Sequence, residues 1–227
     1  GEHADFNDAG VEAMLNAGLE DSGPETYGCG DIDDAIEEAS TVLDQVYSVP
    51  YIQHATLEPM NCTAHVQEDR IDVWVPTQSQ EWTEDKITSV SGMSRSKIFI
   101  HTTLVGGGLG RRLESDFAGQ AVLISEAVGK PVKLIWNREQ DTQHGFYRPA
   151  FKGRLQAAID GQGNLTGLSV HNSGQFILQN YAPGFIIDIA RRFPSWLNQD
   201  LDALAQQGAI EQGYDIANQS ISYTRTI

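Results

Sequence analysis

Basic residues are scarce in this sequence. Its 227 residues include 15 Lys and Arg against 31 Asp and Glu, a formal charge of −16. Such a surface repels a phosphodiester backbone, which excludes nucleic acid as the main partner. The shortage is most acute at the start, where residues 1–44 hold no Lys or Arg and read as a solvated acidic face. Cysteine is nearly absent too. Cys29 and Cys62 form no C-x-x-C pair, and the six histidines show no H-E-x-x-H spacing. Both cysteines read as plain thiols, not as metal ligands or nucleophiles. No apolar run reaches the length of a membrane-spanning helix, and no secretory signal opens the chain. Gly1 is not a native start, so the N-terminus is expected to be processed or trimmed, and the missing signal says nothing of the native address.

What is present suits a folded protein: 40% of the residues are hydrophobic, enough for a core. Residues 1–30 read as a linker with one short helix from Asp8 to Leu19, capped by Asp8, with Val11, Met14, Leu15 and Leu19 on one face. Asp31 starts a second helix with an acidic first turn, and Thr41 to Val49 is rich in β-formers. Ala64–Gln67 and Ile71–Val75 form an expected hairpin, with Ile71, Val73 and Val75 on one face. A short helix is expected within 79–96 and a strand from Lys97 to Thr103. Phe117, Ala121, Ile124 and Val128 repeat at helical spacing and predict an amphipathic helix that stops at Gly129. A strand follows at Val132–Trp136. A hairpin then turns at Asp160-Gly161-Gln162-Gly163-Asn164. Helices are expected over 186–193 and 196–207. Gln219 to Thr226 reads as a strand that runs to the chain end, as if its sheet continues in further sequence.

The chemistry-bearing stretch is Gly106-Gly107-Gly108-Leu109-Gly110-Arg111-Arg112, between a strand and the amphipathic helix. Glycines let the backbone turn sharply and let a large group approach, and arginines suit anions. A strand, a glycine loop and a helix can cradle phosphate, although a tight structural turn has the same composition. The stretch is not a P-loop, since no Lys-Ser or Lys-Thr follows, and it lacks G-x-G-x-x-G spacing. His54 and Glu58 lie four apart in an apolar context, either as a polar pair near a site or as a satisfied pair that holds a loop.

Together these motifs resemble a known family. Tyr51-x-x-His54-Ala55-x-x-Glu58-Pro59, Pro76-Thr77-Gln78, the glycine stretch with Arg111-Arg112, Gly129-Lys130-Pro131-Val132-Lys133-Leu134 and Arg138-Glu139-x-Asp141 occur in one order. The series is similar to the molybdopterin-binding subunit of the xanthine oxidase family. The branch most resembled is the β subunit of isoquinoline 1-oxidoreductase and its bacterial aldehyde-oxidising relatives. The resemblance covers roughly residues 31–180.

The resemblance implies an α+β fold of mixed sheets with packed helices. It implies a molybdopterin cytosine dinucleotide whose dithiolene sulfurs hold the molybdenum, so that no protein ligand is required. Gln78 stands where the family has a glutamine that hydrogen-bonds an oxo ligand. Gly107, Gly108, Leu109, Gly110 and Arg111 stand where its loop approaches the cofactor. Arg111 and Arg112 would contact phosphate or form structural salt bridges. Leu109 replaces a usual phenylalanine. The family's catalytic glutamate, in a downstream Gly-x-Gly-Glu, is missing from this sequence, so no catalytic residue is assigned. The chain thus reads as a fragment, expected to be inactive and without cofactor by itself. Residues 1–40 would be an acidic linker and the tail of a preceding region, and 41–227 the first part of the cofactor-binding domain. Expected partners are a [2Fe–2S] subunit, the rest of the same subunit and a small-molecule substrate. The parent would hydroxylate an N-heterocycle or oxidise an aldehyde with oxygen from water. The alternative is a non-catalytic nucleotide- or phosphate-binding domain.

Overall fold

The computed structural model describes residues 6–175 and 206–226. The chain divides into two compact units. One comprises residues 52–148, and the other is built from the segments on either side. Helices and mixed sheets make up both, as expected for an α+β protein.

The flanking unit is built on a five-stranded sheet in the order β1 (Glu25–Cys29), β11 (Asn218–Thr226), β10 (Leu165–Gln175), β9 (Phe151–Ile159), β2 (Thr41–Val49). The β9–β10 hairpin turns at the expected glycine. There Gly163 has φ +86°, and the Asp160 carboxylate accepts from the Gln162 and Asn164 N–H groups. The β10–β11 pair is parallel and the other pairs are antiparallel. Helices α1 (Asp8–Glu20) and α2 (Ile32–Glu37) pack on this sheet. Asn7, not Asp8, caps α1, through a bond from the Gly10 N–H, because the chain enters the helix one residue earlier than the acidic pattern implied. Helix α2 starts at Asp31 as expected, and the Asp31 carboxylate caps it by accepting from the Asp33 and Asp34 N–H groups. Gly18 is buried against Ser173, where a Cβ would sit 2.2 Å from the Ser173 hydroxyl. The stretch read as linker thus holds strand β1, whose partner β11 lies about 190 residues away, beyond the reach of local pattern. The helices expected over 186–207 lie almost wholly outside the described residues. A short helix, α6, covers Gln207–Ile210.

The central unit is a four-stranded sheet in the order β6 (Ile98–Thr102), β5 (Ile71–Val75), β4 (Asn61–Val66), β7 (Val132–Ile135). The expected β4–β5 hairpin forms. The parallel β5–β6 pair is joined through α3 (Gln80–Ser91). With α4 (Asp116–Val128), α3 covers one face of the sheet. Cys62, Ala64, Ile71, Val73 and Val75 meet Ile87, Phe117, Ala121 and Val122 in one apolar core. Helix α4 is where the periodicity placed it, but it buries a different stripe. Phe117, Ala118, Ala121, Val122 and Ser125 face inward, while Ile124 and Val128 are exposed. Ser125 faces inward because its hydroxyl accepts from the Val66 N–H and donates to the Lys130 carbonyl. A two-stranded ribbon of β3 (Ile52–Gln53) and β8 (Tyr147–Arg148), with α5 (Arg138–His144) between them in sequence, completes this unit.

Candidate cofactor-binding site

The parallel strands β5 and β6 end side by side, and the chain leaves both into the loops that form the site. Residues 76–79 follow β5, and residues 103–113 follow β6. The glycine stretch needs its glycines for two separate reasons. Gly107 and Gly110 have φ +99° and +98°, a backbone region that favours glycine. Gly106 and Gly108 are needed for space. A Cβ on Gly106 would lie 2.5 Å from the Glu58 Cβ, and one on Gly108 would lie 2.5 Å from the Gln78 Oε1. Leu109 also has positive φ, +55°, at a strain of roughly 1–2 kcal/mol for a residue with a Cβ.

Gln78 is wedged against this loop. Its Oε1 accepts from the backbone N–H groups of Gly110 (3.1 Å) and Arg112 (3.2 Å), while its own N–H donates to the Arg112 carbonyl. Two backbone donors on one atom identify that atom as the amide oxygen. The amide nitrogen makes no bond among the described residues, and Gln78 is exposed, so its two N–H donors are open to a ligand. The loop N–H groups of Gly107, Gly108 and Leu109 also have no partner among the described residues. Backbone that alternates in handedness, as at Gly107 to Leu109, is the kind from which anion-binding nests are built.

The two arginines lie under the loop, not over it, and both are fully buried. Arg112 donates to the carbonyls of Gly107 (2.7 Å), Pro76 (3.4 Å) and Glu58 (2.7 Å) and to the Glu58 carboxylate (2.8 Å). Arg111 forms a two-pronged pair with Asp116 (2.8 and 3.0 Å), and its guanidinium lies 5.5–5.9 Å from the ring centres of Phe117, Trp136 and Phe146. Both side chains are committed to the protein itself. Of the two roles open from sequence, this geometry displays the structural salt bridge for each.

His54 and Glu58 do not pair with each other. Glu58 accepts from Arg112 and from the Gly106 N–H (2.9 Å), so it holds the glycine loop. The His54 Nδ1 meets the Phe146 carbonyl at 3.1 Å. Burial, chiefly, holds the His54 pKa below its ordinary value, with Arg148 and Arg111 adding to the effect and the Phe146 bond and Asp141 opposing it. Between His54 and Glu58, Ala55 has φ +45°. That segment is clamped by Arg138, which donates to the carbonyls of Thr56 (2.6 Å) and Leu57 (3.2 Å) and pairs with the buried Asp141. The clamp was hidden in sequence. Its only signal was the spacing of Arg138 and Asp141 on one face of a short helix. Leu57, Leu104 and Leu109 remain strongly exposed around the loop.

Residues 19–177 match the family of molybdopterin cofactor-binding domains. The chain belongs to that family. Among curated proteins, a membrane-bound aldehyde dehydrogenase (pyrroloquinoline-quinone) of Gluconacetobacter polyoxogenes is 32% identical over 165 residues, which span 72% of this chain and 21% of that protein. Isoquinoline 1-oxidoreductase subunit beta of Brevundimonas diminuta is 34% identical over 125 residues, 55% of this chain and 15% of that subunit. Among solved structures, the aldehyde oxidoreductase of Desulfovibrio gigas superimposes with a TM-score of 0.67 at 17% identity, covering 88% of this chain and 21% of that one. The molybdopterin-domain chain therefore spans about a fifth or less of each of these three proteins. Its relatives include the molybdenum-binding subunit of an aldehyde oxidoreductase of Escherichia coli and the large molybdopterin subunit of a nicotinate dehydrogenase of Eubacterium barkeri.

Proposed function

We propose that this chain supplies one wall of the molybdopterin site in a larger oxidoreductase subunit that hydroxylates an N-heterocycle or oxidises an aldehyde with oxygen from water. The observation that carries this reading is the convergence at the glycine loop. Three backbone N–H groups without a partner among the described residues stand beside a glutamine amide whose oxygen is pinned and whose nitrogen is likewise unbonded among them. That donor-rich set fits a group that presents oxygens, and Gly106 and Gly108 let the loop sit close against Glu58 and Gln78 in this arrangement.

When bound, the molybdenum centre supplies the two-electron redox chemistry. The residues of this chain bind and orient. Gln78 Nε2 donates to an oxygen at the loop. Gly107, Gly108 and Leu109 offer backbone donors to the same neighbourhood. Arg111, Arg112 and Glu58 hold the loop in its shape from beneath, and Leu109 forms part of the apolar wall. The cytosine dinucleotide form of the cofactor and a [2Fe–2S] partner subunit complete the proposal, as the family resemblance implies. No observation favours the non-catalytic nucleotide-binding alternative.

The test uses the full-length subunit expressed with its neighbouring subunits. Purified protein is expected to contain molybdenum near one atom per subunit and to release a cytidine nucleotide on acid hydrolysis. Gln78→Leu is expected to reduce turnover while the fold survives. Protein that carries neither metal nor pterin under conditions that load a related enzyme would refute the proposal.

A further inference from the structure

We propose that His54 is a binding residue of the loop site, and that its Nε2 accepts a hydrogen bond from an N–H or O–H group on whatever lies against Gly110. The inference rests on the cofactor-site reading above and deepens it. A backbone carbonyl can only accept, so the 3.1 Å contact with Phe146 puts the His54 proton on Nδ1. The remaining ring nitrogen is then a lone pair, and it has no partner among the described residues. That nitrogen faces the glycine loop: a Cβ built on Gly110 would stand 3.7 Å from it, with no other atom within 4 Å. The space over Gly110 is open, and His54 borders it.

Gly110 is also the residue whose N–H fixes the Gln78 amide. Among the described residues, one glycine therefore has an unbonded amide donor on Gln78 and an unbonded acceptor on His54 as neighbours. Such a pair selects an occupant that both accepts and donates, such as a lactam-like ring edge or a protonated oxygen. The ring is held in place. Ala55, the next residue, is strained into positive φ, and the Arg138 bonds to the Thr56 and Leu57 carbonyls hold the chain there. The low basicity of the half-buried ring, set mainly by burial with Arg111 and Arg148 nearby and Asp141 opposing, keeps the lone pair available at neutral pH.

Two sources could supply the donor, a ring N–H of the pterin or a group on the small-molecule substrate. Full-length enzyme bearing His54→Phe, which removes the acceptor, or His54→Gln, which restores a carbonyl, distinguishes them. If the pterin is the donor, His54→Phe lowers bound molybdenum and acid-released pterin about five- to tenfold, the worth of one hydrogen bond, and His54→Gln recovers most of it. If the substrate is the donor, metal content stays at the wild-type level and KM rises by a similar factor while kcat changes little. A Phe variant with wild-type metal content, KM and kcat overturns the inference. So does nitrogen-15 NMR of the wild-type protein that finds the proton on Nε2, whatever the variants do. Wild-type enzyme that never loads molybdenum brings down the site reading and this inference with it. Wild-type enzyme that loads, with an indifferent His54→Phe, brings down only the inference.

Discussion

Inside residues 52–148, large apolar side chains meet in one continuous cluster from Met60 to Trp136. Inside the flanking unit Leu15, Val170, Ile221 and Tyr223 are buried together with neutral polar groups and one lysine: Ser173, Asn172, Gln206, Gln219 and Lys152. Lys152 bonds to Glu12 and Asn16, Asn172 to Gln206, and the Tyr223 hydroxyl to the carbonyls of Gly174 and Gln175. In the central unit the fully buried arginines and Asp141 instead gather around the site. The apolar core there acts as a platform on which costly buried charge is concentrated at one loop. The flanking unit spreads its polar groups through the sheet, where Lys152, Asn172 and Tyr223 find partners while the Ser173 hydroxyl and the Gln206 amide nitrogen have none among the described residues.

The largest expected effect separates these two strategies. Arg112→Leu leaves the Glu58 carboxylate and three carbonyls without their shared donor, and is expected to destabilise the central unit by about 3–5 kcal/mol in urea unfolding. A loss below 1 kcal/mol would mean that the charge beneath the loop is ornamental. Gly108→Ala drives a Cβ into the Gln78 amide, and a cost of about 1–3 kcal/mol is expected, with release of Gln78 from the loop visible by NMR or crystallography. In the flanking unit, Tyr223→Phe removes one hydroxyl from two carbonyls and is expected to cost about 1 kcal/mol.

The two cysteines give a finer probe of the same contrast. Burial pushes the Cys62 thiol up to about 12, while Cys29 is only half-buried at a strand edge. Cys29 should react with a thiol reagent in native protein, and Cys62 only after unfolding. The sign for stability follows. The folded state holds Cys62 protonated, so its contribution is complete below the unfolded value of about 8.5 and is lost as pH rises from there toward the folded value. A flat stability between pH 8 and 11 would contradict this burial. The smallest effect is expected at β2, where Val46 and Tyr47 are exposed. Val46→Thr should change stability by less than about 0.5 kcal/mol while reducing any self-association seen by sedimentation.

Much of this was legible in sequence wherever the cause is local. The glycine stretch, the start of α2 at Asp31, the β4–β5 and β9–β10 hairpins and the extent of α4 all follow from neighbours a few residues apart. The fate of Arg111 and Arg112 was not. Arginines after a glycine loop look like anion donors, and only the fold shows Glu58, 54 residues away, already bonded to one of them. The His54–Glu58 spacing marked two residues of the site but misjudged their partners, since each turns to a different loop. The inward stripe of α4 was misread because Ser125, a polar residue, earns its burial through bonds to the distant Val66 and the turn at Lys130.

The interruption of one unit by the other has a consequence for how the chain is made. All the strands of the four-stranded sheet have emerged by residue 135, so the central unit can close while synthesis continues. Strand β2 must wait more than a hundred residues for β9, and β1 waits for β11, nearly the last segment of this sequence to appear. The five-stranded sheet is therefore assembled late and at high contact order, the slow step of folding. Until then its first strands are unpaired edges on the nascent chain, and they are where a chaperone would be needed.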